Sequence, residues 1–462
     1  MRATEPPEVS VATIEGIILR NSITFETLVG TNNFGIAWSQ RSPIVLQYIV
    51  DHIDEVMRYA LMITPPPASG LQGICLSILS SRETELYNKL FDSQTFLNIV
   101  QEIPQNITKY TVRTQVMYFD LINTILIQTN FTLFNQFDMK QYFKVLASTL
   151  IHDTPARFIQ SMVISLTPLS FSVLSNAELV KILCQEYIND TVNGITALRL
   201  IQNCFINEFF LRHAAESFGD RTLILNIWKK ADKTRDVHGI DFLRTLFLTC
   251  VPFISLKEWK YVADELIKLL PNVSRILLSM SYYGIYENSI GKLFIALQNG
   301  SGQVEQSGFD ITVNAIDMMF KQPINSFVHN FAMYSVQSFV QCNGDIDLLL
   351  EKTQLPKKII QQYLKRGQVT AVYWGQLRVI SETIEPYIDT THLSNWSNII
   401  TESNQNTRHL MDVPLEESHP ILNKKQTSSL LLALHRLPKR KRAVLMVGLI
   451  SFILFIYVAI FV

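Results

Sequence analysis

From residue 40 to about 386, apolar side chains recur at three- and four-residue intervals with few breaks, the period of helices that bury one face. Ser42 and Pro43 stand where an N-cap and a first helical residue belong. Leu46, Ile49, Ile53, Val56, Met57 and Ala60 then share one face, and Asp51, Asp54, Glu55 and Arg58 the other. The PPPASG turn at 65–70 is expected to follow the end of that helix. Ser80 with Glu83, Asp138 with Gln141 and Ser255 with Glu258 each have capping-box spacing ahead of an apolar run. Those runs are Leu86, Leu90 and Phe91; Tyr142, Val145, Leu146 and Leu150; and Trp259, Val262, Leu266, Leu269 and Leu270, with Pro271 next. Pro356 and Gly367 bracket a further helix through Ile359, Ile360, Tyr363 and Leu364. Strand signals are few, Asn193-Gly194 being the ambiguous spot.

Helices of about 12 to 20 residues joined by short polar links predict an all-α chain, either a large bundle or a solenoid. No strict repeat of 34 or 40 residues is visible, which excludes a regular tetratricopeptide array. Degenerate HEAT- or armadillo-like pairs remain compatible, because apolar position rather than identity holds such repeats together. A HEAT/armadillo-like solenoid is therefore the expected architecture. An N-terminal arm (1–20) leads into helical repeats (21–298), and the NGSGQVEQSG stretch at 299–308 is expected to be a flexible loop. Further repeats (309–389) follow, then a Thr-, Ser-, Asn- and His-rich tether (390–438).

The end of the chain differs from everything before it. Residues 443–462 carry no charge, from Ala443 through Gly448, Phe452, Phe455 and Tyr457 to Val462. About 20 helical residues span the roughly 30 Å hydrocarbon core of a bilayer. Lys439, Arg440, Lys441 and Arg442 immediately before it mark the flank that stays cytoplasmic. The first sixteen residues hold Glu5 and Glu8 and no apolar core of a secretory signal. The expectation is a tail-anchored, single-pass protein on the cytoplasmic face of a membrane. The length and strong apolarity of the anchor favour the endoplasmic reticulum or endomembrane over the mitochondrial outer membrane.

Composition changes this picture little. Outside 439–442, 36 basic residues face 40 acidic ones, so nothing points to nucleic acid as a partner. Cys75, Cys184, Cys204, Cys250 and Cys342 are isolated, form no CxxC and suit reduced structural thiols. Six Asn-x-Ser/Thr sequons, at Asn106, Asn130, Asn189, Asn272, Asn299 and Asn395, would not meet the glycosylation machinery with this topology. No HExxH, GxSxG, Walker-type or dinucleotide glycine motif is present, and Gly300-x-Gly302 has a linker setting. His52 suits a solvated surface position beside Asp51 and Asp54. Lys229, Lys230, Lys233 and Arg235, interleaved with Asp232 and Asp236, suit a solvated helix end. The 27 Phe and 16 Tyr belong to helix cores rather than a ligand cage. No enzyme, cofactor, metal or small-molecule substrate is expected.

One stretch, ITFETLVGTNNFGIAWSQRSPIVLQYIVDHIDEVMRYAL, carries a family likeness. Thr24, Phe25, Thr27 and Leu28, then Ser42, Pro43, Val45 and Leu46, then Val56 to Leu61, follow a shared order of apolar elements. Cys75 to Ser80, the pair Phe96-Leu97, Tyr142 to Val145 and Ser148 to Leu150 extend it. In these positions, across about residues 20–210, the chain resembles the SAPS family, regulatory subunits of phosphatase 2A-like and 6-type protein serine/threonine phosphatases. It departs from that family at Ser42, where an Asn is usual, and at TNNFGI (31–36), where an acidic cluster is usual. A membrane anchor also stands where long acidic tails are common.

The resemblance implies a noncatalytic scaffold that binds a protein phosphatase catalytic subunit, with Ser42, Pro43, Leu46 and Tyr48 as candidate partner-binding residues. With the anchor, it would confine that subunit near membrane-bound substrates. The alternative expectation is a membrane tether or trafficking adaptor presenting the same kind of surface. An enzyme would need convergent polar groups in a concave pocket.

Overall fold

The structure, a computed structural model, describes residues 11–20, 23–31, 34–64, 70–81, 83–129, 131–136, 138–165, 178–365, 371–388, 396 and 400. Every regular element among these residues is helical. The chain divides into two compact units, Met1–Thr353 and Gln354–Val462.

The first unit is organised by a row of seven helices, Leu71–Leu79, Val112–Gln128, Asp153–Ile164, Gly194–Cys204, Val237–Cys250, Ile285–Ser301 and Ser326–Gln341. Each packs beside the next, and the polar contacts between them show that neighbours run parallel. Gln72 and Met117 meet at the starts of the first two, and Gln128 donates to the Ser80 carbonyl at their ends. Thr154 donates to Gln115 at 2.8 Å and Asn123 to Ser161 at 3.1 Å, joining the second to the third. The last two meet at both ends, through Asn325 to the Tyr283 carbonyl (3.0 Å) and Gln298 to Ser338 (2.9 Å).

Parallel neighbours in one chain need a return segment, and a second set of helices supplies it. Met139–Ala147, Leu179–Ile188, Arg221–Thr234, Leu270–Ser279 and Gln306–Lys321 each precede a row helix and pack against it. The result fits a helical-repeat solenoid.

The repeat is legible in the caps. The residues that open the seven row helices are Gly70, Thr111, His152, Asn193, Asp236, Gly284 and Asn325, spaced 41, 41, 41, 43, 48 and 41 residues apart. Three of them also tie a repeat to the one before. Asn193 accepts from the Ile151 amide (2.6 Å) and donates to the Ser148 carbonyl (2.9 Å). Asp236 accepts from the Tyr187 hydroxyl (2.7 Å), and Asn325 donates to Tyr283. The side chains of Thr111, Asn193, Asp236 and Asn325 thus satisfy their own helix start or the preceding turn, which would otherwise hold unpaired backbone groups.

Several sequence expectations change. The helix opened by Pro43 carries its predicted face into the core, but it breaks at His52 into Pro43–Asp51 and Ile53–Ala60. His52 is half-buried, its Nδ1 2.9 Å from the Tyr48 carbonyl and its ring 4.1 Å from that of Tyr48, so it is a packing residue and not a solvated one. Ser80 closes a helix instead of opening one, because its hydroxyl donates back to the Leu76 carbonyl at 2.6 Å. The following helix, Thr84–Asp92, starts after Glu83. Ser255 misses its cap by one residue, Leu256 taking the position. Asp138 does cap, accepting from the Gln141 amide at 3.1 Å.

The expected loop at 299–308 is mostly helix. Ile285–Ser301 ends at left-handed Gly302 and Gln306–Lys321 begins four residues later. Its glycines allow close packing: a Cβ on Gly300 would sit 2.1 Å from the Phe247 ring, and one on Gly308 2.4 Å from Gln298. The division into units falls after Thr353 instead. The expected N-terminal arm contains the helix Val11–Arg20, whose Glu15 accepts from the Ser42 hydroxyl at 2.5 Å.

In the second unit Leu355–Leu364 begins with Pro356 in its first turn, and Trp374–Ile384 follows. Ile359, Leu377, Ile380 and Ile384 are fully buried, and the Tyr363 and Trp374 rings lie 6.1 Å apart. Trp396 and Ile400, within the expected polar tether, are buried as well. Gly367, the rest of the tether, the basic flank and the anchor from Ala443 to Val462 lie outside the described residues. Among the described residues no helix is long and apolar enough to cross a membrane.

Candidate interaction surface

The third to sixth row helices are each covered on three sides, by the two row neighbours and by the helix that precedes them. The side chains left over lie at helical spacing along the fourth side. On Asp153–Ile164 they are Arg157, Ser161 and Ile164; on Gly194–Cys204 they are Ile195, Arg199 and Asn203. On Val237–Cys250 they are Asp241, Arg244, Thr245 and Leu248; on Ile285–Ser301 they are Asn288, Lys292, Ile295 and Asn299. Together they make one continuous open face, four row helices wide.

Two lanes cross this face, each supplied by one residue per repeat. Arg157, Arg199, Arg244 and Lys292 form a cationic lane across the middle. Ile127, Ile164, Ile206 and Leu248 form an apolar lane at the C-terminal ends of the second to fifth row helices, Ile206 standing two residues past the end of its helix, and all four are 45% exposed or more. Arg157 pairs with Asp153 of its own helix at 2.5 Å, with both side chains 75% exposed. An ion pair so open to water stabilises little. Arg199, Arg244 and Lys292 have no hydrogen-bond or ion-pair partner among the described residues. The acid nearest along the chain to this part of the lane is Asp241, one helical turn before Arg244 and not paired with it. Between the second and third row helices the face deepens into a cleft lined by Val116, Phe119, Asp120, Asn123, Arg157 and Phe158. Asn123 Oδ1 has no hydrogen-bond partner there.

The residues singled out from sequence lie elsewhere. Ser42, Leu46 and Tyr48 are buried, and Pro43 alone of the four is exposed. Burial spends the first three on the fold: Ser42 on Glu15, Leu46 in the core, Tyr48 against Phe25 and His52. Most of the apolar positions that carry the family likeness are core positions too, including Phe25, Leu28, Val45, Val56, Ile78, Phe96, Tyr142 and Phe143. The basic run at 229–235 is drawn into contacts between repeats. Lys230 pairs with Asp190 at 2.5 Å, and Asp232 accepts from Tyr286 at 3.1 Å. Arg235, in the left-handed region at φ 53°, reaches Glu287 at 3.5 Å and lies over the Tyr286 ring.

Burial holds the thiols and His213 inside the unit neutral. Burial pushes the Cys75, Cys204 and Cys250 thiols up to about 12, away from nucleophilic thiolate chemistry. Burial, with Lys181 adding to it, lowers His213 to about 4. Among the described residues no group of three or more His, Cys, Asp or Glu is placed to hold a metal ion. The cationic lane escaped sequence reading because its members are 42, 45 and 48 residues apart and meet only through the row.

No family model matches the chain, and no curated protein does. Among solved structures, a crystal structure of an engineered protein is 12% identical, with a TM-score of 0.32, covering 80% of this chain and 98% of that one. A likeness of that degree carries no argument about fold or function.

Proposed function

We propose that the chain is a noncatalytic, HEAT/armadillo-like scaffold that binds a protein partner on the open face of its helix row. The unpaired cations Arg199, Arg244 and Lys292 carry this reading. A fold gains little by setting three like charges on three adjacent helices with no counter-ion, whereas a partner that supplies the counter-charge gains orientation and a faster encounter. The apolar lane beside them adds area that a partner can dehydrate. The partner we propose, on the SAPS-like apolar order, is a serine/threonine protein phosphatase catalytic subunit.

The uncharged segment from Ala443 to Val462, behind Lys439 to Arg442, is the proposed anchor on the cytoplasmic face of an endomembrane. Confinement there would raise the effective concentration of the bound subunit near membrane substrates without new chemistry.

Affinity capture of the full chain from detergent extract, with the bound proteins identified by mass spectrometry, tests the reading. A phosphatase catalytic subunit at near-equal amount is the expected result. Coat or fusion proteins in its place would favour a tether, and would overturn the phosphatase assignment.

A further inference from the structure

The geometry points to an extended, acidic segment of a partner protein as the occupant of the cationic lane, with one carboxylate or phosphate for each row helix. This deepens the proposed scaffold reading and rests on its choice of face. Parallel helices pack about 8–10 Å apart, and an extended chain in the polyproline II form advances about 3.1 Å per residue with three residues per turn, so every third side chain faces the same way. One step along the row therefore matches about three residues of an extended peptide. Arg157, Arg199, Arg244 and Lys292 stand on four successive row helices, so the fitting segment carries an acidic group at every third position over about ten residues.

The charge on the face sets the sign of the occupant. From Gly194 to Gln341 the open sides of the row helices hold Arg199, Arg244 and Lys292 against Asp241 alone. Arg157 would exchange its exposed contact with Asp153 for one with the peptide at small cost. An arginine fork takes a carboxylate or phosphate in two parallel hydrogen bonds, which fixes direction as well as affinity. Asn203 and Asn299, about one and two helical turns beyond Arg199 and Lys292, can meet backbone groups of the same segment.

Fluorescence polarisation on the full chain in detergent tests this with two labelled peptides of equal composition. One carries Glu at every third position, and the other carries its Glu residues in one block. The spaced peptide is expected to bind more tightly, with binding weakened by salt. Single variants R199Q, R244Q and K292Q should each weaken it about 2- to 5-fold, and the triple variant about 10-fold or more. All three positions are at the surface, and an unchanged helical circular dichroism and melting temperature would establish that the triple variant folds.

Equal binding of the two peptides, or equal binding by a folded triple variant, would overturn the inference. So would anionic vesicles or a single-stranded oligonucleotide competing better than the spaced peptide. Capture of the phosphatase subunit is a separate readout. If the triple variant still captures it, the scaffold assignment stands and the acidic-segment inference falls. If the spaced peptide binds and no phosphatase is captured, the reverse holds.

Discussion

Single residues at the cap edge join neighbouring repeats. Asn193 is nearly fully buried and bonds two groups of the preceding turn, the Ile151 amide and the Ser148 carbonyl. Asn193→Ala should cost about 1 kcal/mol or more in urea unfolding, because two part-buried backbone groups would lose the partner that a buried side chain supplies. Its neighbour Gly194 abuts the preceding helix, where an added Cβ would lie 2.8 Å from the Tyr187 Cα. A backbone atom cannot yield as a flexible side chain can. Gly194→Ala should therefore destabilise by about 1–3 kcal/mol, despite alanine's roughly 1 kcal/mol advantage in a free helix. His213 sets an acid limit. Its folded-state value, about 4, lies below the ordinary 6.5, so the unfolded chain binds the extra proton as pH falls between them. The stability it contributes is complete above about 6.5 and is lost as pH falls toward 4. Urea midpoints at pH 7 and pH 5 should show this fall, and His213→Gln should flatten it.

At the scale of elements, each row helix packs against its row neighbours and against helices close to it in the chain, so stability is close to a sum of neighbour terms. Opening one junction should then spread locally. In Asn193→Ala, native-state hydrogen exchange should lose protection in Asp153–Ile164 and Gly194–Cys204 before Ile285–Ser301. Equal loss along the whole row would contradict that. Helices were legible in the sequence wherever an apolar face ran long, as from Leu46 to Ala60, and where a cap bonded as its spacing implied, as at Asp138. The 41-residue period was not. Gly, Thr, His, Asn and Asp share one structural role at the caps and no common identity, so the period exists in geometry alone. Gly300 and Gly308 misled for a different reason: the close approach of Phe247 and Gln298 demands a missing Cβ, and from sequence that looks the same as flexibility. The open face could not be found without the row, since periodicity shows which residues are exposed but not which helices are neighbours.

For the whole molecule two attachments are proposed, one to a membrane and one to a protein. The membrane attachment is tested by Ile453→Arg with Leu454→Arg in the uncharged segment. Two charges at the centre of a span cost about 5–7 kcal/mol on insertion scales, so the variant should leave the membrane fraction on alkaline extraction. Retention would contradict the anchor. The central claim is that the partner sits on the open face of the helix row, and site-specific photo-crosslinking tests it most directly. A photoreactive residue at Asn203 lies on that face, and one at Lys229 lies exposed on Arg221–Thr234, in the other set of helices. Crosslinking of the captured phosphatase subunit from Asn203, with none from Lys229, is the predicted result. Crosslinking from Lys229 alone would place the partner on the opposite helices and contradict the claim.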